Sequence, residues 1–302
     1  MNHLAGLDVP NPGVKDGEEA ALAAFKKEHN AHKDADSSAT PTWAIEPDAL
    51  PESGWRSLDD YTLLRFLRAD ERGGKFDGVA SRERLTRALA WRKEMRLDAT
   101  LATPPPRHDE YLELRVRRWV GLDHKARPVQ FELLGAFLAS GNVRAFAGGE
   151  WLAHYARDVE QTFERMREAS EKSGTAVCGY LFIADLEGFG LGSVGQLRAV
   201  VPLLKLLTKE VESHFPEIVD AIVLFNAPRV FATAFPLVKA FMDPITAAKI
   251  EVHAGVPSAR LLELMPSATL PANYGGTASA LPRTKLWSAQ PQGATDGSIV
   301  NN

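Results

Sequence analysis

The chain has 302 residues, 45% of them hydrophobic, enough to bury a sizeable core in one large domain or two modest ones. A formal net charge of -4 and a pI near 6.1 exclude a surface that neutralises many phosphates, so nucleic acid is not an expected partner and any basic patch is local. Cys178 is the only cysteine, which excludes an intrachain disulfide, and no Cys/His set has the spacing of a four-ligand zinc site; no metal is expected, and a reducing, cytoplasmic setting fits.

The stretch from Met1 to Gly13 is broken by Asp8, Pro10 and Pro12 and carries no leader-like apolar run. Residues 1–55, rich in Pro, Ala, Asp and Ser, read mostly as a mobile arm, with one helical candidate over Glu18–Lys33 whose apolar face (Leu22, Phe25) is thin. Order is expected from Ser57-Leu58-Asp59-Asp60, where Ser57 can cap a helix carrying Leu58, Tyr61, Leu64, Phe66 and Leu67. After a break at Gly73-Gly74, a second helix over residues 77–96 spaces Val79, Leu85, Leu89 and Trp91 and stops before Thr103-Pro104-Pro105-Pro106. Residues 56–110 thus form a small helical module.

From Arg115 onward the pattern changes to α/β. Strand-like segments at 116–122, 128–133, 179–186, 221–226 and 249–253 alternate with longer helical stretches, which predicts a sheet domain over residues 111–277. One helix, 149–173, carries Leu152, Tyr155, Ala156, Val159, Phe163 and Met166 on a single face. Another, 194–215, is apolar over a wider arc from Leu197 to Val211. The most apolar runs, 176–184 and 221–225, are about half or less of the roughly 20 residues a spanning helix needs, so any membrane contact is peripheral. Residues 278–302 read as a flexible tail.

Enzymatic patterns are present but incomplete. Gly190-Leu191-Gly192-Ser193-Val194-Gly195 matches G-x-G-x-x-G between a predicted strand and helix, with Glu210 or Glu212 at the distance of a ribose-binding acid, as in a dinucleotide-dependent oxidoreductase. Its glycines begin several residues after Asp185, whereas the fingerprint occupies the tight strand-to-helix turn. Ser193 has Leu191 where a G-x-S-x-G elbow needs glycine. His154, His214 and His253 are scattered, and Asp59-Asp60 and Glu18-Glu19 suit helix starts. No nucleophile–base set emerges, and the chain is not expected to be an enzyme.

A series of short motifs carries a resemblance. Leu63-Leu64-Arg65-Phe66-Leu67-Arg68-Ala69, Lys75-Phe76-Asp77 and Trp91-Arg92 are followed by Arg127-Pro128-Val129-Gln130-Phe131-Glu132 and Ile183-Ala184-Asp185-Leu186-Glu187-Gly188. Phe215-Pro216-Glu217, Phe225-Asn226-Ala227-Pro228, Phe241-Met242-Asp243-Pro244-Ile245-Thr246 and Tyr274-Gly275-Gly276 complete the series. In order and spacing, from about Leu58 to Gly276, the chain resembles the CRAL-TRIO lipid-binding family, and most closely its phosphatidylinositol/phosphatidylcholine transfer branch. The resemblance implies an α/β fold: a helical module, then a mixed, mostly parallel sheet of about five strands whose helices and a gate helix enclose a lipid cavity. It also implies a non-enzymatic carrier, cytoplasmic and peripheral on membranes, with membrane phospholipid as ligand and no other cofactor. A lipid-gated adaptor, for instance of a lipid kinase or trafficking partner, is the alternative. The basic cluster Arg115, Arg117 and Arg118 suits such a surface or an anionic membrane, and equally suits strand residues facing solvent.

Residue by residue, the resemblance places the phosphoinositide head group on Lys75, Glu217, Thr246 and Lys249. Taken singly, these side chains read as solvated surface, and Thr246 as a turn residue. Two departures stand out: Ile218 occupies a position where relatives commonly carry arginine, and an insertion around 70–74 displaces the arginine before Lys75, leaving Arg72 or Arg68 to substitute. The second head-group or pocket positions fall on Trp119, Gln130, Tyr155, Tyr180 and Phe182, where relatives that hold phosphatidylcholine carry small hydroxyl residues and tyrosines. Only Tyr155 is unchanged, so the second ligand is open: phosphatidylcholine held against the π faces of Trp119 and Tyr180, another hydrophobe, or none. Residues 228–242, read from their spacing alone, make an ordinary core helix; the resemblance makes them the mobile gate, with Phe231, Phe235, Val238, Phe241 and Met242 on its apolar side.

Overall fold

A computed structural model describes residues 17–33, 60–115, 117–190, 193–240, 242 and 244–281. Helix α1 (Glu18–Lys33) occupies the span predicted for it and docks on α2 (Asp60–Ala69). Its thin apolar face suffices because Phe25 buries among Leu63, Phe66 and Leu67, while the Glu18 carboxylate accepts two hydrogen bonds of 2.8 Å from the Arg68 guanidinium. The remainder of the predicted arm, the proposed cap at Ser57 and the tail beyond Leu281 lie outside the described residues. The Gly73-Gly74 break is the turn of a two-stranded hairpin, β1 (Glu71–Arg72) with β2 (Lys75–Phe76), both glycines adopting positive φ. Asp77 then caps α3 (Gly78–Met95) by accepting from the Val79 and Ala80 amides. Short α4 (Leu97–Thr100) and α5 (His108–Leu114) follow, neither foreseen from periodicity because each is under three turns.

The sheet runs β3 (Arg117–Leu122), β4 (Pro128–Glu132), β5 (Tyr180–Asp185), β6 (Val219–Phe225) and β7 (Ile250–Val252) in spatial order, antiparallel between β3 and β4 and parallel elsewhere. Side chains alternate across its two faces. Val129, Phe131, Leu181, Ile183, Val223 and Phe225 point to one face, sealed by Leu261 of α11 (Ser258–Leu264) and by Met265, Leu270 and Tyr274. Register places Trp119 opposite Gln130, and Gln130 beside Phe182, so the other face carries a different set: Arg117, Trp119, Gln130, Glu132, Tyr180, Phe182 and Ile222. Over that second face lie α6 (Leu134–Ser140), α7 (Gly148–Ser173) and α8 (Ser193–His214), with α9 (Arg229–Lys239) packed on α8 and α10 (Pro244–Ala248) following it.

Polar groups fix these layers. Asp185, at the end of β5, accepts from Asn226 Nδ2 at 2.8 Å, from Tyr274 Oη at 2.9 Å and from the Glu187 amide at 2.8 Å, tying β5, the end of β6 and the C-terminal seal together. Glycine is required at 135, since a Cβ there would come within 2.3 Å of the Leu186–Glu187 backbone. Arg92 of α3 and Glu160 of α7 form a two-pronged pair at 2.5 and 3.0 Å, both side chains almost wholly buried. Beside α7, the rings of His108, Tyr111 and His154 stack. Arg157 Nε donates to His108 Nε2 at 3.3 Å, so the neutral His108 carries its proton on Nδ1 and donates to His154 Nδ1 at 3.2 Å.

Two outcomes follow from these buried groups. Replacing Glu160 with Ala strands Arg92 in the core, and urea unfolding should show a loss of about 3–5 kcal/mol. Burial and the neighbouring Arg157 hold His108 down to about 4, and burial also lowers His154. Between about pH 6.5 and 4 the unfolded chain therefore takes up protons that the folded chain refuses, and stability declines as pH falls through that window. Urea midpoints measured at pH 7 and pH 4.5 should differ less in His108→Gln than in the wild type.

Candidate functional site

Between the second face of the sheet and helices α7 and α8 lies a cavity of about 640 Å³. Its walls are apolar: Leu134 and Phe137 come from α6, Trp151 and Val159 from α7, and Val200, Leu203, Leu204 and Leu207 from α8. Phe215, Ile222, Met242 and Ile245 add to them. Two polar regions interrupt this lining, one at the exposed rim and one among buried residues.

At the rim, Glu217, Thr246 and Lys249 come together. Lys249 Nζ donates to Glu217 Oε2 at 2.8 Å and to the Val219 carbonyl at 2.9 Å, and its backbone amide donates to the Thr246 carbonyl at 3.1 Å. Glu217 sits at φ +56°, a left-handed conformation uncommon for a residue with a Cβ, and this aims its carboxylate at Lys249. Lys75 does not line the cavity; it is exposed on β2, directly opposite Arg72, which does. Of the two arginines offered as substitutes, Arg68 is engaged by Glu18, so Arg72 is the one at the rim. Arg84 grips Asp70 through two bonds of 3.0 and 2.7 Å and the Glu212 carbonyl at 3.1 Å, anchoring the hairpin to α8.

Gln130, Tyr155, Tyr180 and Phe182 line the cavity too. Trp119 lies beside it, edge-on to Tyr180 at 5.6 Å between centroids and with the Arg165 guanidinium 5.3 Å from its own ring. Among the gate residues, Met242 lines the cavity and Phe241 lies outside the described residues. Phe231 stacks on Phe235 at 5.2 Å and meets Phe189 edge-on, and with Val230 they join an apolar cluster that includes Val200, Leu203 and Leu204 of α8. Among the described residues no side chain of α9 lines the cavity, and Val238 is partly buried.

The basic cluster at Arg115 and Arg117 is not a surface, which corrects the solvent-facing reading. Arg115 pairs with Glu132 at 3.0 and 2.5 Å and donates to Tyr111 Oη at 3.0 Å, while Arg117 pairs with Asp158, which also accepts from Tyr111. Both arginines, both carboxylates, Tyr155 and Tyr180 line the buried end of the cavity. Burial lowers Arg117, whereas Glu132 and Tyr111 outweigh burial and raise Arg115; burial also raises Tyr155 and Tyr180, keeping their phenols protonated. A sign of this cluster was present in Glu132, a charge in a strand otherwise read as core.

The glycine motif does not form a nucleotide turn: β5 ends at Asp185, α8 starts at Ser193, and Asp185 spends its oxygens on the bonds already described. Leu191 and Gly192 lie outside the described residues.

Residues 118–276 match the CRAL/TRIO domain family. The chain is 32% identical over 235 residues to the SEC14 cytosolic factor of Kluyveromyces lactis, covering 76% of this chain and 75% of that protein. It is 30% identical to the SEC14 cytosolic factor of Candida glabrata, covering 75% and 74% respectively. Against the phosphatidylinositol/phosphatidylcholine transfer protein SFH12 of Arabidopsis thaliana the identity is 29%, over 77% of this chain and 42% of that one. A crystal structure of Sfh5 superposes with a TM-score of 0.65 over 88% of this chain and 90% of its own, at 16% identity, and shares the fold. A mixed five-stranded sheet with one face sealed and the other hollow, matched over more than half its length, places this chain in the CRAL/TRIO domain family.

Proposed function

We propose that this protein is a non-enzymatic carrier that binds single phospholipid molecules, phosphatidylinositol foremost, and moves them between membranes. The observation that carries this is an apolar cavity whose rim presents Lys249, Glu217 and Thr246 together, the cation and oxygens that an inositol phosphate needs. Relatives named as phosphatidylinositol/phosphatidylcholine transfer proteins and cytosolic factors support the reading. Among the described residues no helix is long and apolar enough to cross a membrane, which agrees with a protein that visits membranes peripherally from the cytoplasm. Of the basic cluster offered for the adaptor alternative, Arg115 and Arg117 point inward, which leaves Arg118 of the three for such a surface.

Energetics dictate how such a carrier exchanges its cargo. At about 0.8 kcal/mol per CH₂, two acyl chains of roughly 30 methylenes together hide about 25 kcal/mol from water, so release into solvent is negligibly slow. Exchange therefore takes place where chains pass directly between apolar media.

Transfer should accordingly depend on collision: with fluorescent phosphatidylinositol, the initial rate should rise in proportion to acceptor-vesicle concentration. Lys249→Ala should lower that rate about 10-fold or more, the scale of a lost charged hydrogen bond. Unchanged transfer by the variant would remove the head-group assignment.

A further inference from the structure

The connection between α4 and α5 carries a feature that the cavity does not use. It runs Leu101-Ala102-Thr103-Pro104-Pro105-Pro106-Arg107, with Thr103, Pro104 and Pro106 exposed and Pro105 half-buried. A single proline would be enough to end α4; three in succession do more. Each ring fixes its own φ at about −65°, and each proline also pushes the residue before it out of the helical region, so residues 103–105 are held in the polyproline II conformation.

Both ends of the run are tied down. The Thr103 amide donates to the Ala99 carbonyl at 2.8 Å, and Arg157 of α7 donates to the carbonyls of Thr100 and Leu101, the latter at 2.9 Å. At the other end Arg107, at φ +61°, turns the chain out of the extended run. Its guanidinium folds back onto Glu110 at 2.6 and 2.9 Å, onto Glu150 at 3.3 Å and over the Phe146 ring at 4.2 Å. Between these anchors, among the described residues, the carbonyls of Pro104 and Pro105 accept no hydrogen bond. The prolines therefore form a ridge already in its extended conformation, so a partner has little chain entropy left to remove.

The chemistry of the ridge selects the partner. It offers pyrrolidine faces and free carbonyl acceptors, and its prolines have no N–H to give. The matching surface has aromatic rings that seat the prolines and a ring N–H or hydroxyl that donates to their carbonyls, which tryptophan and tyrosine supply. Thr103 and Arg107 flank the triplet, so no two of these prolines have the P-x-x-P spacing that SH3-type grooves read, and the neighbouring cation is spent on Glu110 and Glu150. A groove for two adjacent prolines, the WW type, is what fits.

We propose that residues 104–106 are a docking site for a protein partner with a WW-type groove lined by tryptophan and tyrosine. The ridge is held by Glu150 and Arg157 near the start of α7, whereas Phe215, two residues before Glu217, packs on Phe163. From Glu150 to Phe163 is about 20 Å of helix at about 1.5 Å per residue, so a docked partner leaves the cavity rim open.

The test is a titration of the full chain into a panel of fluorescently labelled, purified WW domains, read by anisotropy, with an SH3 domain for comparison. At least one WW domain should bind with a dissociation constant of about 100 µM or tighter, and the SH3 domain about 10-fold more weakly or not at all. Pro104→Ala and Pro105→Ala should each weaken the WW complex about 10-fold or more, while both variants keep phosphatidylinositol transfer within about two-fold of the wild type. Should Pro105→Ala fail to fold, Pro104→Ala, whose ring is exposed, decides alone. No binding by any WW domain, equal binding by the SH3 domain, or affinity that Pro104→Ala retains in full would overturn the docking site. Loss of transfer in the wild type saturated with a WW domain would overturn the separation of ridge and rim.

Discussion

Two guanidinium groups and two carboxylates on the hollow face of the sheet must be paired, because an ion removed from water without a partner costs several kcal/mol. That requirement sets Arg115 of the segment before β3 against Glu132 of β4, and Arg117 of β3 against Asp158 of α7, so the edge strand, its neighbour and the longest helix are joined through one cluster. The cavity exists because this face was built with charge and bulky aromatics where the opposite face carries Val129, Phe131, Leu181 and Ile183 in close contact. A sheet can be packed on one side and left hollow on the other only if the rest of its shell is held by something stronger than the missing contacts.

The remaining shell shows how that is achieved. Arg92 and Glu160 lock the helical module to α7, Asp185 ties the parallel strands to the C-terminal seal, and Arg84 binds the hairpin to α8. These clamps surround the hollow. On the side of α8 and α9, Pro202 and Pro236 interrupt the helical ladders, and contacts of Phe231 and Phe235 are largely aromatic. Apolar contacts such as those of α9 can slide and re-form, whereas buried ion pairs and the Arg84 clamp on α8 resist separation. The cavity is polar at both ends, with Glu217 and Lys249 at the rim and Arg117 paired to Asp158 inside.

Several parts of this architecture were legible from residues. Alternation of apolar positions located all five strands of the main sheet to within two residues, and the face of α7 followed from helical spacing, whereas Val79, read on the apolar face of α3, is exposed while Leu85 is buried. Of the four positions to which the resemblance assigns a head group, Glu217, Thr246 and Lys249 meet, while Lys75 stands apart because the inserted hairpin turns it to solvent and brings Arg72 to the rim instead. Turn glycines revealed a break at 73–74, but a two-residue strand carries no periodic signal, so the hairpin could not be read.

The order of residues alone sets how side-chain character alternates along each strand and helix, hence which face of an element is greasy and which is not. That information is local, since a strand repeats every two residues and a helix about every 3.6. Long-range pairing instead turns Arg115 and Arg117 inward, sets Glu18 on Arg68 across some fifty positions, and brings Arg117, Tyr155 and Tyr180 to one end of the cavity. Such pairings depend on strand order and register, which bring distant segments together, and no periodicity within one segment encodes its neighbour.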